Sequence, residues 1–183
     1  MSKMESKFFQ DWFSEIYSHS NSIQTDNLIK ISNEIIKSSN NSGKIIVIGN
    51  GGSAAIASHV SIDLTKAAGI RAINFNEGSL LTCFSNDYGY ESWVKEALEF
   101  YADKNDLIVL ISSSGQSSNI INGAKKAIEM NLPLITLSGF SKENPLKKMG
   151  DINLWVDSSE YNIVESVHQM WLLSVVDYLI KSK

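Results

Sequence analysis

The feature that most constrains this chain is a repeated alternation. A short, largely apolar run is followed each time by a stretch with helical spacing. Residues 106–111, Asp-Leu-Ile-Val-Leu-Ile, form the clearest run. Such a run has no polar alternation, so it suits a strand buried on both faces. Similar runs at 44–48, 71–75, 133–137 and 152–156 read as strands. Helical patterns follow at 54–68, at 92–100 within a segment spanning 86–101, at 118–130, at 144–149 as a short helix, and at 163–180. Strands that alternate with helices predict an α/β fold: a doubly wound, five-stranded parallel sheet flanked by helices.

The first forty residues add two helices ahead of this core. Phe8, Phe9, Trp12, Phe13, Ile16 and Tyr17 recur at helical spacing, as do Leu28, Ile31, Ile35 and Ile36 after a polar break. The expected organisation is a single domain over 1–183, with an N-terminal helical hairpin at 1–40 and an α/β core at 44–183. A chain of 183 residues is long enough for one sizeable core. The aromatic load of the first helix also suits packing against another subunit. Sixteen Lys and Arg against twenty Asp and Glu leave a formal charge of −4 with no basic stripe, so no nucleic-acid partner is expected. Cys83 is the one cysteine, which excludes an internal disulfide and fits a reducing, cytoplasmic location. No apolar run reaches the length of a membrane span, and no membrane partner is expected.

Two polar loops directly follow apolar runs. Gly49-Asn-Gly-Gly-Ser53 opens a helix, and its glycines allow positive φ and close approach of a ligand to the backbone. It lacks the Gly-Lys-Ser/Thr of a P-loop, and Ala54 and Ala55 stand where a dinucleotide fingerprint would end, so no nucleotide cofactor is expected. A tight turn alone would also explain it. The second loop, Ser112-Ser-Ser-Gly-Gln-Ser117, follows the clearest strand. A helix cap needs one serine, whereas this loop offers Ser112, Ser113, Ser114 and Ser117. Clustered hydroxyls beside helix-start amides suit a phosphate, and both loops sit where open α/β sheets place ligands.

The segments GNGGSAAIASHVSIDLT, LLTCFSNDYGYE and ISSSGQSSNI, in that order and spacing, resemble the sugar isomerase (SIS) domain and, within it, the phosphoheptose isomerases. The resemblance runs from about residue 45 to the C-terminus. It implies isomerisation of sedoheptulose 7-phosphate to D-glycero-D-manno-heptose 7-phosphate, serving heptose synthesis for lipopolysaccharide or capsule. It further implies a homotetramer with sites near subunit interfaces, and zinc in many members. On that basis Asn50, Gly51, Ser53, Asp87, Ser112, Ser113, Ser114 and Ser117 are the substrate-binding candidates. Asp63, Glu165 and His168 are the catalytic candidates, and His59, Asp63 and Glu165 the metal candidates. Asp63 matches a family glutamate and Glu165 a family glutamine, while the family's catalytic histidine falls on Leu173.

The same residues carry a reading of their own. His59 and Asp63 are four apart and share a helix face, and Glu165, His168 and Gln169 fall on one face of the last helix. Two such faces together would make a carboxylate–imidazole site suited to zinc or to acid–base work. A plain ion pair at His59/Asp63 and a structural histidine at His168 are the alternatives. Three functions remain open from the sequence: a phosphoheptose isomerase; a non-catalytic sugar-phosphate sensor or protein-binding adaptor of the replication-initiation regulator type, which loss of the histidine at 173 favours; and a different sugar-phosphate isomerase or a hexosamine-handling SIS enzyme.

Overall fold

The computed structural model describes residues 3–182. Helices α1 (Lys3–Asn21) and α2 (Thr25–Asn40) precede strand β1 (Ile45–Gly49). There follow α3 (Gly52–Lys66), β2 (Ala72–Ile73), α4 (Gly78–Tyr88), α5 (Trp93–Tyr101), β3 (Leu107–Ser112), α6 (Ser118–Glu129), β4 (Leu134–Ser138), a 3-10 turn (Leu146–Lys148), β5 (Ile152–Trp155) and α7 (Tyr161–Lys181). The five strands form one parallel sheet in the order β2-β1-β3-β4-β5. This is the predicted doubly wound architecture.

The β1, β3 and β4 side chains are all buried, alternately on two faces. Val47, Val109 and Leu137 face a core completed by α1, α2, α3 and α7. Ile48, Leu110 and Leu134 face a second core filled from α5 and α6, with Trp93 and Ile120 at its centre. Burying each such side chain contributes roughly 1.5–3 kcal/mol, so two-sided burial explains why these runs lack alternation. α7 is the one described helix long and apolar enough to cross a membrane. Here its apolar side chains Val164, Val167, Trp171 and Val175 pack into the first core instead.

Three elements depart from the expected ones. β2 pairs over two residues only. The short helix expected at 144–149 is a single 3-10 turn. α4 is a helix that the apolar spacing does not announce, because it has no buried residue. Its start is fixed by Glu77, whose carboxylate accepts from the Ser79 and Leu80 amides at 2.9 and 2.8 Å. Its end is fixed by Gly89 at φ +84°, a conformation that favours glycine.

At the amino end of the sheet, Asp106 is fully buried and closes the turn before β3. It accepts from the Lys44 and Asp103 amides at 2.8 and 2.7 Å and pairs with the Lys44 ammonium at 2.6 Å. At the opposite end the topology creates a crevice. The chain leaves β1 for β2 on one side, with α3 on the first face. It then crosses to β3 on the other side, with α5 on the second face. The loops after β1 and β3 therefore diverge, which is the switch point where open α/β sheets bind ligands.

Candidate functional site

At that switch point Asn50, Gly51, Gly52, Ser53, Ser112, Ser113, Ser114, Ser117 and Glu165 line one pocket of about 280 Å³, with Ile111 and Tyr161. β1 ends at Gly49, and Gly51 turns the chain at φ +55° to start α3. Gly52 lies against the Glu165 carboxylate, and any side chain at 52 would displace it. The amides of Gly52 and Ser53 occupy the first positions of α3, and those of Ser118 and Asn119 the first positions of α6, where no acceptor exists within a helix. Both helices thus direct their positive ends at the crevice.

The serine loop is held from behind. Gly139 donates its amide to the Ser113 carbonyl at 2.8 Å, and Leu146 donates to the Gly115 carbonyl at 3.2 Å. Asn144 fills the space over Gly115, which sits at φ +64° and has no room for a side chain. Ser112 Oγ and Ser117 Oγ bond each other at 3.2 Å, and Ser114 Oγ accepts from the Gln116 amide at 3.2 Å. Each hydroxyl keeps further capacity for a ligand oxygen. No lysine or arginine is among the residues that line the pocket. Hydroxyls and backbone amides are therefore the groups that can receive an anion here, with the Glu165 carboxylate at the wall.

Glu165, in the second turn of α7, is half-buried at the pocket wall, and Ser113 Oγ donates to its Oε1 at 3.4 Å. Burial raises its pKa above the usual carboxylate value, partly opposed by the Ser113 bond. One turn further, Gln169 Nε2 donates to His59 Nδ1 at 3.1 Å, and His59 Nε2 faces Asp63 Oδ2 at 3.2 Å. Gly52, His59 and Asp63 follow one face of α3, at seven- and four-residue steps, along the seam with α7. The seam thus leads from the serine pocket to His59, about 10 Å along the axis.

The chain matches the SIS domain family over residues 8–139. A phosphoheptose isomerase of Helicobacter pylori is 33% identical over 149 residues, covering 78% of this chain and 77% of the relative. The chain belongs to the phosphoheptose isomerase family of SIS domains. The solved phosphoheptose isomerases of Francisella tularensis (TM-score 0.88, 23% identity, all of both chains) and Neisseria gonorrhoeae (TM-score 0.87, 24% identity, 97% of each) share its fold.

Within this SIS domain the substrate-binding candidates Asn50, Gly51, Ser53, Ser112, Ser113, Ser114 and Ser117 come together, and Glu165 joins them. Asp87 does not. It sits on α4 in a separate depression with Cys83, Phe84, Tyr88, Phe100 and Tyr101, where Asn86 Nδ2 and Cys83 Sγ approach its carboxylate. His168 does not line the pocket either. It is fully buried, its Nε2 donates to the Ser138 carbonyl at 3.0 Å, and its Nδ1 has no partner among the described residues. Burial lowers its pKa from 6.5 to about 4, so it stays neutral. Leu173, where the family has a histidine, packs against the first core.

The residues expected to hold zinc do not gather around one point in this chain. His59 pairs with Asp63 on one side and Gln169 on the other, while Glu165 turns to Ser113. Among the described residues no three His, Cys, Asp or Glu side chains form a metal-holding group. Tyr161 was not singled out by the sequence, yet it lines the pocket and stacks edge-on against Phe140 at 4.8 Å. Its only signal was its place at the start of α7.

Proposed function

We propose that this chain isomerises sedoheptulose 7-phosphate to a heptose 7-phosphate, with the phosphate in the serine pocket and the sugar along the α3–α7 seam. The carrying observation is the convergence of five serines and two helix starts on one crevice, beside a carboxylate with a raised pKa. The reaction removes a proton from C1 of the ketose to give a 1,2-enediol. Protonation at C2, with transfer of a proton from O1 to O2, then leaves the aldehyde at C1. Glu165 is the group assigned to the carbon proton: a raised pKa brings it nearer the working range of an acid–base catalyst. His59, held by Gln169 and Asp63, is assigned to the oxygens, where it polarises the carbonyl and moves the hydroxyl proton. A heptose product of this kind feeds synthesis of heptose-containing glycans.

The exposed aromatic face of α1, with Phe8, Phe9, Phe13 and Tyr17 each more than half exposed, supports assembly into a homotetramer. The packed Leu173 favours a second reading, a sugar-phosphate sensor or adaptor that binds without turnover. Pure protein incubated with sedoheptulose 7-phosphate in heavy water, with and without added zinc, separates the two by NMR. Aldose formation with deuterium at C2 is expected. Binding without either at every zinc loading would replace the enzyme with the sensor.

A further inference from the structure

The β1–β3 ladder ends at Gly49 opposite Ile111. Beyond it, among the described residues, no backbone hydrogen bond joins the loop at 50–53 to the segment at 113–119. Two side chains make the join. Asn50 Nδ2 donates to Asn119 Oδ1 at 2.9 Å, and Asn119 Nδ2 donates to Asn50 Oδ1 at 2.9 Å. Each amide is donor once and acceptor once, so the pair closes a ring. The Tyr90 hydroxyl adds a donor to Asn50 Oδ1 at 3.1 Å. Asn50 lines the pocket, but the Asn119 side chain does not; Asn119 is 1% exposed in the first turn of α6.

A phosphate bound here must take hydrogen bonds from both halves at once: the amides that start α3 and the serine hydroxyls before α6. Each half is well formed by itself, and the gap between them is what a single anion must fit. We propose that Asn119 is a positioning residue for phosphate, its two-way amide pair with Asn50 setting the separation of the two halves. The inference rests on reading this pocket as the phosphate site. Tyr90, from the segment between α4 and α5, ties a third loop to the same ring.

The test measures inorganic phosphate and sedoheptulose 7-phosphate binding by calorimetry, alongside steady-state kinetics. Asn119→Ala weakens both ligands about tenfold or more, and the loss falls on KM more than on kcat. Asn50→Ala with Asn119→Ala is little worse than the worse single variant, because both remove one ring. Asn119→Asp separates positioning from general support. Ionised, it sets oxygen against Asn50 Oδ1; protonated, its hydroxyl restores the missing donor. Its affinity relative to wild type therefore rises as pH falls through the carboxyl's titration. Glu165, at the pocket wall, and Tyr90, on the ring, are present in both proteins and cancel in the ratio. Additive losses in the double variant, or a flat ratio for Asn119→Asp, would overturn the proposal. Equal binding by wild type and Asn119→Ala would do the same while leaving the phosphate site standing. A wild-type chain that binds neither ligand removes the site and this inference together.

Discussion

At the amino end of the sheet Lys44, Asp103 and Asp106 spend their charges on one another; at the carboxyl end the serines and helix-start amides keep capacity in hand. The first cluster is closed. Asp106 has three donors, and contacts with Asp103 and Asp106 hold the Lys44 pKa above its ordinary value although burial alone would lower it. The second is open, has no cation of its own, and is walled by a carboxylate whose main neighbour is one hydroxyl. Saturated polar groups hold a fold. Unsaturated ones, fixed in place by a fold, are what a ligand can use.

The comparison is sharpened first at Glu165. Glu165→Gln keeps the shape and removes the titrating group, so turnover should fall 10²–10⁴-fold while phosphate affinity changes by a few-fold at most. Single-turnover kinetics beside calorimetry reads both quantities. A variant that loses binding and rate together would place Glu165 in ligand binding rather than chemistry.

At the closed end, Asp106→Ala leaves the Lys44 ammonium without its buried partner and two amides without an acceptor. The expected loss is about 3–5 kcal/mol of stability, measured by urea unfolding, with ligand affinity unchanged in the fraction that remains folded. A small loss would show that this cluster is not the saturated support described above.

His168 also serves the fold rather than the pocket although it lies three residues from Glu165: it is buried and bonded through Nε2 to Ser138, with Nδ1 left unpartnered among the described residues. Its pKa is about 4 in the folded chain and 6.5 as the reference. Between those values the unfolded chain binds the extra proton, so stability falls as pH drops from 6.5 to 4. The total is roughly 3 kcal/mol. His168→Gln should flatten that part of the stability–pH curve relative to wild type, without shifting the pH profile of turnover. A shifted turnover profile would return His168 to the site.

The smallest effect is expected for one hydroxyl. Ser114→Ala should cost roughly 1.5–3 kcal/mol of phosphate affinity and leave the melting temperature close to wild type. Unchanged binding in a Ser112→Ala/Ser114→Ala double variant would break the assignment of the open end.

What the sequence made legible was local. The run at 107–111 and the serines that follow it are contiguous, so strand, loop and ligand chemistry could be read together. The same holds for the glycines before α3. What escaped depended on contacts between distant segments. α4 has no buried face, so the apolar period that reveals other helices is missing. On α7, His168 lies about 60° to one side of Glu165 and Gln169 about 40° to the other. Spacing alone groups all three. Only the packing of α7 on the sheet and α3 sends His168 inward to Ser138 and Gln169 outward to His59. The Asn50–Asn119 ring, 69 residues apart in sequence, had no local signature at all.

The proposed phosphate pocket, built of hydroxyls and amides with no cation among its lining residues, has a consequence for how such a ligand would arrive. Attraction between full charges is screened by dissolved ions over about 8–10 Å at moderate ionic strength, and a basic pocket loses much of its reach as salt rises. Dipoles that act only at hydrogen-bond range have no such reach to lose. The chain's net charge of −4 also repels an anionic sugar weakly at a distance. Added salt should therefore leave capture of the sugar phosphate nearly unaffected or quicken it slightly, so that discrimination rests on fit inside the crevice rather than on long-range steering.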